Sequence, residues 1–105
     1  MTDKVFMQKV RKVVAENLTD PDFGVETFAN LMSLSRVQLH RRMTALFHQS
    51  SSEFIRSQRI NRAAALLRAQ NDSVSAVAIK IGFSNMSYFS KCFQKQFGVK
   101  PSEYC

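Results

Sequence analysis

Slid along itself by about fifty residues, this chain meets a second copy of its own pattern, and no other feature constrains its fold as tightly. Ala29-x-x-x-Ser33-Leu34-Ser35 is answered by Ala78-x-x-x-Gly82-Phe83-Ser84 at an offset of 49 residues. One residue is then inserted. Leu39, Arg41, Met43, Phe47 and Ser52-Glu53-Phe54 are matched by Phe89, Lys91, Phe93, Phe97 and Ser102-Glu103-Tyr104 at a constant offset of 50. Charged positions repeat together with apolar ones, which helical periodicity alone does not produce. A chain of 105 residues is the size of one domain, so two small units have to share it.

The apolar spacing is helical throughout. Asp3 to Asn17 carries Val5, Phe6, Val10, Val13, Val14 and, just beyond, Leu18 as its apolar stripe, with Lys4, Lys9, Arg11 and Lys12 around it. Thr19-Asp20-Pro21-Asp22 is a turn, because proline excludes its predecessor from the helical region. Val25–Met32 reads as a short helix with Phe28, Ala29 and Met32 inward. A second begins near Ser35, a suitable N-cap, and runs through Leu39, Met43 and Leu46 to Phe47. Ser51 or Ser52 starts a longer helix, Glu53 to about Gln70, with Phe54, Ile55, Ile60, Ala64 and Leu67 inward. After the polar break Asn71-Asp72-Ser73 come a short helix ending at Gly82 and another over Asn85–Gln96. Gly98 sits where a left-handed cap belongs, and Pro101 opens a last turn. The fold expected is all-α: about seven helices, no strand, and two helical units joined by a long connecting helix.

Each copy has the parts of a helix-turn-helix, at about 25–47 and 74–97, with the connecting helix at about 53–70. Ala29 and Ala78 let two helices cross closely. The turn that follows favours positive φ, which suits Gly82 and suits Ser33 less. Leu34 with Leu39, and Phe83 with Phe89, plug the angle between helices. The outward face of the next helix is then free for polar groups: Arg36, Gln38, Arg41 and Arg42 in one copy, Asn85, Ser87, Lys91 and Lys95 in the other. These side-chain types match base edges in the DNA major groove. A connecting helix of roughly 27 Å, at 1.5 Å per residue, can set two such helices about one turn of DNA apart, roughly 34 Å.

Charge points the same way. The net charge is +7, and it is uneven: residues 1–33 hold four basic and five acidic side chains, residues 34–105 eleven basic and three acidic. A positive field confined to one part of a domain is the footprint of a polyanion partner. Other classes lack their chemistry. No apolar run spans a membrane, and Met1-Thr2-Asp3-Lys4 leads into an amphipathic segment rather than a signal peptide. Cys92 and Cys105 lack CxxC spacing and read as reduced thiols of a cytosolic protein. His40 and His48 lie eight apart with no third ligand nearby, so no metal site is expected. Nothing is placed as a base for Cys92, so it reads as packing beside Phe93, and neither enzyme nor cofactor is expected. A protein-interaction module with an acidic partner is the rival class, and the two equivalent polar helices argue against it. Single-stranded RNA would want exposed aromatic platforms.

The chain resembles the DNA-binding domain of the AraC/XylS family of bacterial transcription regulators over essentially its whole length, 1–105. The resemblance is strongest in Gly82-Phe83-Ser84-Asn85-Met86-Ser87-Tyr88-Phe89-Ser90-Lys91-x-Phe93 and Phe97-Gly98-x-x-Pro101-Ser102-x-Tyr104. It continues upstream in Ser35-x-x-x-Leu39-x-Arg41 and Phe54-Ile55-Arg56-x-x-Arg59-Ile60-x-x-Ala63-x-x-Leu66-Leu67. It implies a duplicated, homeodomain-like fold that can bind double-stranded DNA as a monomer to control transcription in the bacterial cytoplasm and nucleoid, with activation and repression both open. It further implies RNA polymerase as a partner, and a sensor or receiver domain that this chain lacks. Matched to the family's recognition helices, Val37, Gln38 and Arg41 face bases in one groove, and Asn85, Met86, Ser87 and Lys91 in the next. Ser35 and Ser84 join the candidate contacts at the helix starts. Arg36, Arg42 and Lys95 are either phosphate contacts or solvated charges. Tyr88 either stacks inside or reaches a phosphate. Arg56, Arg59 and Arg62 are read as structural. Three departures stand out. Ser33 and His48 occupy places where the second copy has Gly82 and Gly98, which is expected to loosen turns in the first copy, and Cys105 replaces a common terminal Arg.

Overall fold

The computed structural model describes residues 2–69 and 71–104; Cys105, and Gln70 where the connecting helix was expected to end, lie outside them. Among the described residues there are seven helices and no strand: α1 (Asp3–Asn17), α2 (Val25–Leu31), α3 (Arg36–Phe47), α4 (Ser51–Arg68), α5 (Val74–Lys80), α6 (Met86–Phe97) and α7 (Pro101–Tyr104). The molecule is elongated, 41 × 24 × 22 Å, with α4 linking its two ends.

The helices start where polar side chains satisfy the orphan N–H groups of the first turn. Thr2 caps α1 and Ser73 caps α5. Ser35 and Ser50 form reciprocal capping boxes with Gln38 and Glu53. The Ser50 box starts α4 at Ser51, two residues earlier than Glu53, because the cap is Ser50 rather than Ser51 or Ser52. The α1 stripe is also narrower than its spacing suggests: Phe6, Val10 and Val14 are buried, whereas Val5 is 48% exposed on the flank.

Two separate cores result. The first gathers Phe6, Val10 and Val14 of α1 around Phe28, Leu39, Met43, Phe54 and Ile55. The second gathers Ile60, Ala63, Ala64 and Leu67 of α4 around Val77, Ile81, Phe89 and Phe93. Each fully buried Phe or Leu contributes about 1.5–3 kcal/mol, so each unit has a core of its own. Helix α4 serves both, and its apolar face changes allegiance between Ile55 and Ile60.

The repeat is visible in the backbone. Leu34 N–H donates to the Ala29 carbonyl at 3.0 Å and Ser33 N–H to Asn30 at 3.0 Å. Phe83 N–H donates to Ala78 at 2.9 Å and Gly82 N–H to Ile79 at 3.1 Å. Ser33 (φ 58°) and His48 (φ 59°) take the same left-handed conformations as Gly82 (φ 91°) and Gly98 (φ 80°). The departures from glycine therefore do not loosen the turns; the first copy holds the same geometry under strain.

Candidate nucleic-acid interface

Helices α3 and α6 follow their turns in the same way, and each lays one face on its core while the opposite face stays open. Leu39, Met43, Phe89 and Phe93 are the buried pins. Ser35, Arg36, Val37, Gln38 and Arg41 are exposed on α3 and its cap, and Ser84, Asn85, Met86, Ser87, Lys91 and Lys95 on α6 and its approach. Val37, at 59% exposure, and Met86, at 39%, are large apolar side chains held in solvent among polar ones. In a DNA groove such groups meet a thymine methyl.

The structure distributes the polar candidates unequally. The Gln38 Oε1 accepts the Ser35 N–H at 3.0 Å while the Ser35 Oγ accepts the Gln38 N–H at 3.1 Å. The Asn85 Oδ1 accepts the Tyr88 N–H at 3.0 Å. An amide side chain recognises adenine through both its oxygen and its nitrogen; here each oxygen already accepts one backbone N–H, which ties the amide to the start of its own helix. Asn85, not Ser84, is thus the counterpart of Ser35 as cap, and Ser84 is the residue the second copy inserts. The shared identity of Ser35 and Ser84 conceals this, since it places the insertion one residue too late.

Arg42 stands apart from the exposed face of α3. Its guanidinium lies 4.1 Å from the Phe6 ring centroid, and Nη2 is 3.4 Å from Asp3 Oδ1, so it ties α3 to α1. Lys95 shares a cleft between α4 and α6 with Glu53 and Arg56, and Lys91 stands where that cleft meets the next. The Glu53 carboxyl is held below the usual glutamate range, first by the Ser50 backbone N–H, then by its hydroxyl, with Arg56 and Lys95 adding attraction. Tyr88 is 48% exposed, packs beside Phe83, and its hydroxyl receives Arg56 Nη1 at 3.3 Å.

Residues beyond α3 and α6 complete the surface. One cleft is lined by Val25, Arg36, Val37, His40, Arg41 and Ser50–Ser52. Its counterpart is lined by Val74, Met86, Ser90, Lys91, Gln94 and Lys100–Ser102. Apart from Val37 and Gln94 these residues correspond at offsets of 49 and 50, so the segment entering α4, and the one entering α7, flank α3 and α6 in equivalent ways. The Ser52/Ser102 match signalled this in the sequence. His40, weighed there only as a metal ligand, is exposed in the first cleft. Among the described residues no cluster of three or more His, Cys, Asp or Glu is arranged to hold a metal ion, and no helix is long and apolar enough to cross a membrane.

A family model described as a helix-turn-helix domain matches residues 28–105. Histidine kinase P4 of Formosa agariphila is 35% identical over 102 residues, covering 97% of this chain and 7% of that protein. The HTH-type transcriptional regulator MtrA of Neisseria gonorrhoeae is 29% identical over 102 residues, covering 97% of this chain and 33% of its own length. This chain thus spans a third or less of these two curated relatives. Among solved structures, the DNA-binding domain of AdpA, a global transcriptional factor determined in complex with a target DNA, is 31% identical. It superposes with a TM-score of 0.81 over 91% of this chain and 88% of that one.

Proposed function

The chain belongs to the AraC-type helix-turn-helix family, and on that footing we propose that it grips two successive major grooves of duplex DNA with α3 and α6. The observation that carries this reading is the pair of equivalent, exposed, cation-bearing helices set on separate cores along one connecting helix. Arg41 and Lys91 hold corresponding places and carry base reading, joined by Arg36, Val37, Met86 and Ser87. Ser35, Gln38 and Asn85 act chiefly as caps that fix the first turns, and Lys95 and Ser84 serve the phosphates. Arg42 is structural.

Both reading helices lie in one chain, so a single copy suffices for an asymmetric site of about 15–20 base pairs, two centres roughly 10 base pairs apart with flanking pairs. The longer relatives support a place at the output end of a larger regulator, whose sensor or receiver part lies outside this chain. That regulator acts on transcription, as an activator in contact with RNA polymerase, in the bacterial cytoplasm. The domain itself works by binding rather than catalysis.

Selection of random-sequence duplexes by the purified chain tests the reading. The expected outcome is one enriched, non-palindromic motif bound at 1:1 stoichiometry. Neutralising about six to eight phosphates gives a slope of roughly −5 to −7 in log K against log salt. A slope near zero, or binding only as a 2:1 complex, would contradict it.

A further inference from the structure

The two cores do not merge, and between them lies a cavity of about 200 Å³ bordered by Phe23, Ile55, Arg59, Phe83 and Tyr88. Apolar packing therefore does little to fix one unit against the other. At that junction stands Arg59, on α4 just before the stripe passes to the second core at Ile60. Its Nε donates to the Leu18 carbonyl at 3.0 Å, and its Nη2 to the Asp20 and Phe23 carbonyls at 2.9 and 3.1 Å. Those carbonyls belong to the α1–α2 connection of the first unit. The other side of the guanidinium is covered by the turn of the second unit: a Cβ at Gly82 would meet Nε at 3.3 Å and Cζ at 3.4 Å. One half-buried side chain thus touches the loop below one helix-turn-helix and the turn within the other. Its three hydrogen-bond partners are neutral carbonyls, and the nearby Asp20 carboxylate adds only Coulombic attraction without a hydrogen bond to it.

We propose that Arg59 is a positioning residue that sets the angle between the two reading units, and hence the spacing of half-sites the chain accepts. The inference rests on the two-groove reading for its DNA consequence but not for its structural one. A planar fork with donors on several edges can hold three carbonyls of a loop at once. A change of one base pair in spacing rotates the second groove by roughly 36° and moves it about 3.4 Å, from a turn of about 10 base pairs and 34 Å. Discrimination at that level demands a fixed angle, and a bare α4 between two cores can bend.

Two variants test it: Arg59→Met, of similar length without donors, and Arg59→Lys, which keeps the charge but not the fork. Residual dipolar couplings of the free, full chain come first. Amides of α3 and α6 should fit one alignment tensor in the wild type and require two in Arg59→Met, with each unit's own chemical shifts kept away from the junction. One tensor in both proteins would overturn the proposal without touching the DNA reading. Binding follows, with the duplex enriched from random DNA by the wild type, the same duplex with one base pair inserted between its halves, and one with a single half kept. Arg59→Met and Arg59→Lys should bind the full duplex roughly tenfold more weakly, about 1.4 kcal/mol, and the single half within about twofold of wild type. The penalty for the inserted pair should shrink. Full rescue by Arg59→Lys, or equal losses on full and half sites, would mark Arg59 as a plain phosphate contact or core prop and overturn the assignment.

Discussion

Replacing Ser33 with glycine should stabilise the protein, and the size of the gain follows from one backbone angle. Ser33 is exposed at φ 58°, and the turn it makes is matched bond for bond by the one at Gly82. A side chain in the left-handed region costs about 1–2 kcal/mol, which Ser33→Gly removes. Glycine loses more backbone freedom on folding, which returns roughly 0.5–1 kcal/mol. The net gain is about 0.5–1 kcal/mol. With an unfolding entropy of roughly 2.1 cal/mol/K per residue, this raises the melting midpoint of a chain this long by roughly 2–5 °C. Urea unfolding followed by circular dichroism gives the measurement, read as a shift in midpoint at constant slope. Because the cores are separate, amide signals of Val10 and Phe28 should shift their midpoint more than those of Val77 and Phe93. Ser33→Ala serves as the control, since it keeps the strained angle and should bring no gain. The reasoning fails if Ser33→Gly lowers the midpoint, or if Ser33→Ala raises it equally.

Three further outcomes are expected. Arg42→Ala should cost about 0.5–1.5 kcal/mol of stability through the lost contact with Phe6 and the weak, partly solvated pair with Asp3, while the selected DNA motif stays unchanged. Glu53→Gln should remove a pH dependence: the lowered carboxyl contributes stability fully present above the usual glutamate range and lost as pH falls through its folded value. The stability difference between wild type and variant should therefore shrink on acidification, in denaturant titrations at stepped pH. Arg41→Ala and Lys91→Ala should each weaken specific binding by about 1–3 kcal/mol. Footprints should show the two losses about 10 base pairs apart, and loss at the same base pair would contradict two-groove binding.

The helices, the two cores and the exposed faces of α3 and α6 were legible because they are set by period and repetition. Leu39 and Phe89, or Met43 and Phe93, announce their burial by recurring at one offset on one helical stripe. Long polar side chains were legible only up to their helix. Arg42 and Arg59 are both plain cations in a one-dimensional pattern, and the structural role expected of Arg59 comes with no partner attached. Their partners, Phe6 and Asp3 for one and the carbonyls of Leu18, Asp20 and Phe23 for the other, lie 36 to 41 residues away. Spacing rules reach only three or four residues along a helix, so nothing local could link them. The capping role of Asn85 was hidden for a different reason: Ser84 mimics Ser35 by identity, and only backbone geometry reveals which residue accepts the Tyr88 N–H.

With Ser35 and Asn85 aligned as caps, the following positions pair as Arg36 with Met86, Val37 with Ser87, Gln38 with Tyr88 and Arg41 with Lys91, all at an offset of 50. Only the last pair keeps its chemical type. Arg and Lys both suit the paired acceptors of guanine, so under the proposed two-groove binding the half-sites would share one kind of contact well inside each helix. At the helix starts they differ: a cation and an aliphatic group in one, a thioether and a hydroxyl in the other. Gln38 closes its capping box, whereas Tyr88, in its place, has no such box and instead meets Arg56 of the connecting helix. The first reading helix is thus secured by its own cap, and the second also by the helix that joins the units. Their cores diverged little because both bury the same stripe; their reading faces were free to diverge because solvent, not packing, lies against them.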